Sequence, residues 1–226
     1  MRKIGLVGGI SWASTQDYYR LINEGVNQKL GGLESAECII YSLNFGELQR
    51  VGWKNSFELL LQACRSLQKS GAEAIAFCAN TAHLFVEAIQ KHIDLPIIHI
   101  VTATANQIVK QGVTKVALLG TSFTMEMDFY REKLEEKGLT VLIPEAQNTR
   151  DLMQRIIKDE LGKGLVIGES KQKFVAISEA LIEKGAEGII FGCTEIPLML
   201  NQGDFSVPVF DTTKIHSQTI VDYIVS

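Results

Sequence analysis

Near the C-terminal end of the chain the apolar run GAEGIIF stops at Gly192-Cys193-Thr194-Glu195, and 114 residues earlier GAEAIAF stops at Cys78-Ala79-Asn80-Thr81. A thiol is suited to moving protons, because its pKa of about 8.5 falls when hydrogen-bond donors or a helix N-terminus favour the thiolate. Hydroxyl and amide groups beside it, from Thr194, Asn80 and Thr81, are suited to holding a carboxylate. The two cysteines are not equivalent, however. Aligned on Gly-Ala-Glu and on the shared phenylalanine, Cys193 falls opposite Ala79, and Cys78 falls opposite Gly192. Cysteine also serves as a small buried hydrophobe, so the place of each thiol on its strand decides what it does.

Short β-branched runs alternate with longer helical patterns, which predicts parallel sheets with helices on both faces, an α/β fold. The expected strands are KIGLVGG, ECIIYSL, EAIAFCA, PIIHI, KVALLG, TVLIP, EGIIFGC and PVFD. Expected helices include residues 15–30, 55–71, 124–138 and 173–185, several closing on Lys-Gly or Ser-Gly. The pattern repeats. KIGLVGGIS resembles KVALLGTSF, and Asp17-Tyr18-Tyr19-Arg20 resembles Asp128-Phe129-Tyr130-Arg131, with the landmarks 111 to 114 residues apart. Such a duplication predicts two similar Rossmann-like domains related by a pseudo-twofold axis. Their expected extents are 1–100 with 208–226, and 101–207. Ligands of open α/β sheets bind beyond the C-terminal strand ends. Both thiol-bearing loops lie at such ends, and the expected site is a cleft between the domains.

Composition narrows the class of function. The 226 residues are 46% hydrophobic, enough for a sizeable core. The 22 basic and 26 acidic residues give a net charge of −4 without a basic stripe, which argues against a nucleic-acid partner. No apolar run approaches the roughly 20 residues of a membrane span, and the N-terminus enters a strand pattern directly. A cytoplasmic protein with no membrane partner is expected. Its four scattered cysteines suggest neither a disulfide framework nor a zinc site.

An ordered set of segments, spanning essentially the whole chain, resembles the aspartate/glutamate racemase superfamily. It comprises Gly8-Gly9-Ile10-Ser11-Trp12 with Ser14-Thr15, Asn80-Thr81-Ala82-His83, Gly192-Cys193-Thr194-Glu195-Ile196, and Asp211-Thr212-Thr213 with His216. The resemblance implies amino-acid racemases that need neither pyridoxal phosphate nor metal, that are often homodimers, and that use two cysteines on opposite faces of a small amino-acid substrate. The sequence itself shows no P-loop or HExxH pattern. In two-cysteine members the first thiol directly precedes Asn-Thr, and here that place holds Ala79.

The expected chemistry is proton transfer at the α-carbon, with Cys193 as principal acid/base. Asn80, Thr81 and Thr194 are expected to hold the α-carboxylate, helped by Ser11 and Thr15 near a helix N-terminus. Ser11 and Thr15 can equally be plain helix caps. For the opposite face, Thr81, Cys78 or a positioned water stand as alternatives, although strand alternation aims Cys78 away from the direction of Ala79. His83 and Glu195 are further binding candidates, with Glu195 read either as an orienter of His216 or Thr194 or as a helix cap. Arg50 and Lys163 are the cations in the segments where aspartate-specific relatives hold a distal carboxylate. Two rival readings follow from Ala79. One is a single-thiol decarboxylase or isomerase of a small dicarboxylic acid, and the other is an amino-acid-binding protein without turnover.

Overall fold

The computed structural model describes residues 1–226. The chain divides into two compact units, Met1–Ala103 with Thr213–Ser226, and Thr104–Thr212. In the first, β1 (Ile4–Gly8), α1 (Trp12–Leu30), β2 (Cys38–Ser42), α2 (Phe45–Val51), α3 (Phe57–Lys69), β3 (Ala74–Phe77), α4 (Val86–Gln90) and β4 (Ile97–Ile98) follow in order. Helix α5 (Ile100–Lys110) carries the chain out of this unit. In the second stand β5 (Lys115–Leu119), α6 (Ser122–Glu126), α7 (Asp128–Glu135), β6 (Thr140–Leu142), α8 (Gln147–Asp159), α9 (Gly168–Glu183), β7 (Gly188–Phe191) and β8 (Val209–Asp211). The last helix, α10 (Thr212–Val225), belongs almost wholly to the first unit.

Each unit builds one four-stranded, all-parallel sheet, and the orders β2-β1-β3-β4 and β6-β5-β7-β8 are the same. All eight expected strands are present. Their apolar runs are continuous because helices cover both faces of a parallel sheet. In the first sheet Ile4, Leu6, Ala74, Ala76 and Cys78 join one apolar cluster with Tyr18, Ile22 and Ile220, from α1 and α10. Val7, Ile75, Phe77 and Ala79 join another, with Leu60, Leu61 and Leu67 from α3. The period-two alternation of a strand thus continues through residue 79.

Three expectations change. The returning segment begins at Thr213 and not at 208, because β8 pairs with β7 in the second sheet. The helix expected over 124–138 is broken at Met127, whose backbone is extended, and Asp128 starts α7 in the first-turn place that suits an acidic side chain. Helices such as α5 and α10 join those read from the sequence. No helix is long and apolar enough to cross a membrane.

Candidate functional site

In both sheets the ladder ends at equivalent backbone groups. Cys78 donates its N–H to Val7 O at 2.9 Å, and Gly192 donates to Leu119 O at 2.7 Å. The next residue is the first one free of the ladder. By that register Ala79 is the counterpart of Cys193 within the chain, as the sequence alignment of the two runs expects. The preceding positions differ for a steric reason. A Cβ on Gly192 would lie 3.0 Å from Leu118 Cδ1, Leu119 O and Thr124 Cγ2, whereas Cys78 is accommodated in the first core.

The loop after β7 holds the candidate groups Cys193, Thr194 and Glu195 of the second unit. Cys193 is 8% exposed, and its thiol donates to Glu195 Oε2 at 2.9 Å. The Thr194 hydroxyl donates to the same oxygen at 2.8 Å. Burial, and then the neighbouring Glu195 charge, push the Cys193 thiol well above its usual range, and the backbone N–H groups of Glu195 and Thr194 oppose this only in part. The resting sulfur therefore carries its proton. Glu195 is engaged with Cys193 and Thr194, and His216 pairs with Tyr18 and Ile98 O.

In the first unit, the loop after β3 turns into a 3₁₀ segment, Thr81–Phe85. Asn80 is buried and Thr81 partly exposed. Cys78 is 1% exposed within the apolar cluster of α1 and α10, and desolvation raises its pKa strongly. It belongs to the core, because strand alternation turns it to the face opposite Ala79. His83, 2% exposed, is also interior. Its Nδ1 donates to Ala79 O at 2.9 Å, and its ring packs against Phe77, His99 and His216. Burial first, and then the neighbouring histidines, hold it neutral. The side chain thereby pins the loop's backbone, while its buried Nε2 has no hydrogen-bond partner.

The turn after β1 is built around Gly9, whose φ of +80° and lack of a Cβ are both required. A Cβ there would sit 2.2 Å from Leu43 O. Ser11 caps α1 by accepting from Ser14 N at 3.3 Å. Thr15 Oγ1 accepts from Gly9 N at 2.9 Å and donates to Ser11 O at 2.9 Å. With its one proton committed to Ser11 O, Thr15 braces the turn. Ser11 stays partly exposed at the helix N-terminus.

Supporting residues complete the frame. Ser14 Oγ donates to Cys78 O at 2.8 Å, and Thr212 Oγ1 donates to Phe191 O at 2.8 Å, so each unit ties down a carbonyl at the end of its central strand. Tyr18 OH lies 2.8 Å from His216 Nδ1, and His216 Nε2 lies 2.8 Å from Ile98 O. Residues 18, 83, 99 and 216 share no spacing that announces the cluster. Arg50 lies in the last turn of α2, and Lys163 closes the 3₁₀ turn Leu161–Lys163. No group of three or more His, Cys, Asp or Glu side chains is arranged to hold a metal ion.

The sequence profile of the Asp/Glu/Hydantoin racemase family matches residues 7–220. The broad specificity amino-acid racemase RacX of Bacillus subtilis is 24% identical over 226 residues, covering 96% of both chains. Among solved structures, a candidate Asp/Glu racemase from Yersinia pestis superposes with a TM-score of 0.94 at 44% identity, over 100% of each chain. An aspartate racemase homologue from Pyrococcus horikoshii OT3 superposes with a TM-score of 0.88 at 41% identity, again over 100% of each chain.

Proposed function

Since the chain belongs to the Asp/Glu/hydantoin racemase family, we propose that it is an amino-acid racemase that works without a cofactor, with Cys193 as its principal acid/base at the substrate α-carbon. The observation that carries this reading is a thiol hydrogen-bonded to a carboxylate, at the first position free of the backbone ladder that ends a central parallel strand. Asn80, Thr81 and Thr194 are assigned to the α-carboxylate, with Ser11 at the N-terminus of α1 as a further anion donor. Catalysis gains where these bonds strengthen as the α-carbon loses its proton and charge passes into the carboxyl group. The proposal requires the Asn80 loop of the first unit and the Cys193 loop of the second to share one substrate.

Ala79 favours a second, narrower reading. A methyl group at the counterpart of Cys193 cannot supply a proton, so chemistry confined to one face, such as exchange with retention or protonation after decarboxylation, would need only Cys193. Separate incubation of the L and D forms of aspartate, glutamate and a neutral panel, read by chiral chromatography, decides between them. Appearance of the opposite enantiomer supports the racemase, with a hydroxyl or water as second donor. Unchanged handedness throughout, with carbon dioxide released from a malonate-type acid, would replace it by the one-face reading. We further propose a homodimer residing in the cytoplasm, for which sedimentation of the purified chain and cell fractionation are the tests.

A further inference from the structure

Two donors converge on one oxygen at the end of β7. The Cys193 thiol and the Thr194 hydroxyl both point at Glu195 Oε2, at 2.9 and 2.8 Å. A carboxylate that receives the thiol's hydrogen stands where a proton acceptor must stand. The sulfur is also provided for in its other state, since the backbone N–H groups of Thr194 and Glu195 are directed to it and favour thiolate. The first unit has no such pair. Counting from the equivalent ladder ends, Ala79 matches Cys193 and Thr81 matches Glu195, so its loop lacks both the thiol and the carboxylate.

We propose that Glu195 is the proton store of Cys193. The S–H bond breaks as an O–H bond forms at Oε2, leaving a thiolate held by the two backbone N–H groups. The thiolate then takes the α-hydrogen as a proton, and the electron pair of the Cα–H bond passes into the substrate's own carboxyl group. In reverse, sulfur returns its proton to the α-carbon and recovers the one held on Glu195. Every step is a proton transfer, so no oxidant, reductant or co-reactant enters. Glu195 touches the sulfur and acts on the substrate only through it. The proposal rests on the racemase reading for its substrate step, while the pairing of thiol and carboxylate is measurable without any substrate.

Thiolate formation is followed against pH by ultraviolet absorbance in the whole protein, in Glu195→Gln and in Glu195→Asp. Each titration is taken as the difference from the same protein carrying Cys193→Ala, so that the other three cysteines cancel. Removing the carboxylate charge is expected to lower the thiol pKa by about one unit, about tenfold in its ionisation constant. Glu195→Asp is expected to recover part of the original profile, and solvent exchange of the α-hydrogen to fall in Glu195→Gln and recover in Glu195→Asp. Superimposable titrations for the whole protein and Glu195→Gln would overturn the proposal. If Glu195→Gln does not fold, the S–H infrared stretch of the unaltered protein, identified by its loss in Cys193→Ala, carries the test. A band shifted by hydrogen bonding that moves as a carboxylate titrates is expected, and a free-thiol band insensitive to pH would contradict it. A coupled titration without exchange on any amino acid would instead refute the racemase reading and leave the pair standing.

Discussion

Mild acid should loosen the first unit through His216. The ring is fully buried, and its Nε2 faces Ile98 O, which can only accept, so Nε2 carries the proton. In the neutral ring Nδ1 then accepts from Tyr18 OH. A second proton would displace that bond in a site without solvent. Burial, with the nearby His99 acting in the same direction and Ile98 O against it, lowers the ring from its ordinary 6.5 to about 4. Because the unfolded chain binds the proton more readily, this contribution is fully present above about pH 6.5 and is lost as pH falls toward 4. Integrated from about pH 7 to about pH 5, the cost is about 2 kcal/mol. His83, lowered by burial in the same cluster, adds to it in the same direction. Both tryptophans, Trp12 and Trp53, lie in the first unit, so their fluorescence during urea unfolding reports the right part of the chain. The unaltered protein should lose about 2 kcal/mol or more over that interval, and His216→Phe should lose about 2 kcal/mol less than that. Equal losses in both proteins would refute the argument, whatever the absolute stability of the variant.

Cys78→Ala should retain activity within about twofold, as a core residue remote in direction from the chemistry, while losing about 1 kcal/mol in denaturant melts through its vacated volume. Ala79→Cys should place a second thiol opposite the first in ladder register. Chiral chromatography is expected to show inversion gaining on one-face exchange, by up to the roughly hundredfold that a positioned acid supplies. Gly9→Ala should be severely destabilising, by about 3 kcal/mol or more, since it meets both a positive φ and the Leu43 carbonyl; thermal unfolding measures this.

Much of the frame was legible because parallel strands are written as local runs. GLVG, IIYS, AIAF and GIIF declare themselves by β-branched and small apolar residues, and the repeat fixed Ala79 against Cys193 before any geometry was known. Alternation along β3 was also enough to turn Cys78 into the core. What the sequence hid depends on partners distant along the chain or on desolvation. Helix α5 opens on the β-branched run Ile-Val-Thr, weak helix formers by propensity, after His99, whose ring Nδ1 accepts from Val101 N at 3.1 Å in place of a usual cap. The turn-bracing role of Thr15 depends on a hydrogen bond to Gly9 six residues back. The direction of the Cys193 pKa followed from burial and from the side-chain orientation of Glu195, and neither is encoded in the tripeptide Cys-Thr-Glu. His83 matched a family position yet points inward, because Phe77, His99 and His216 surround its ring.

The central claim is that Cys193 moves the α-proton. In deuterium oxide, NMR follows incorporation of α-deuterium into whichever amino acid the unaltered protein turns over, beside Cys193→Ala with its fold verified by circular dichroism. The account predicts steady incorporation by the unaltered protein and a loss of at least about a hundredfold in Cys193→Ala. Undiminished incorporation in Cys193→Ala would contradict it.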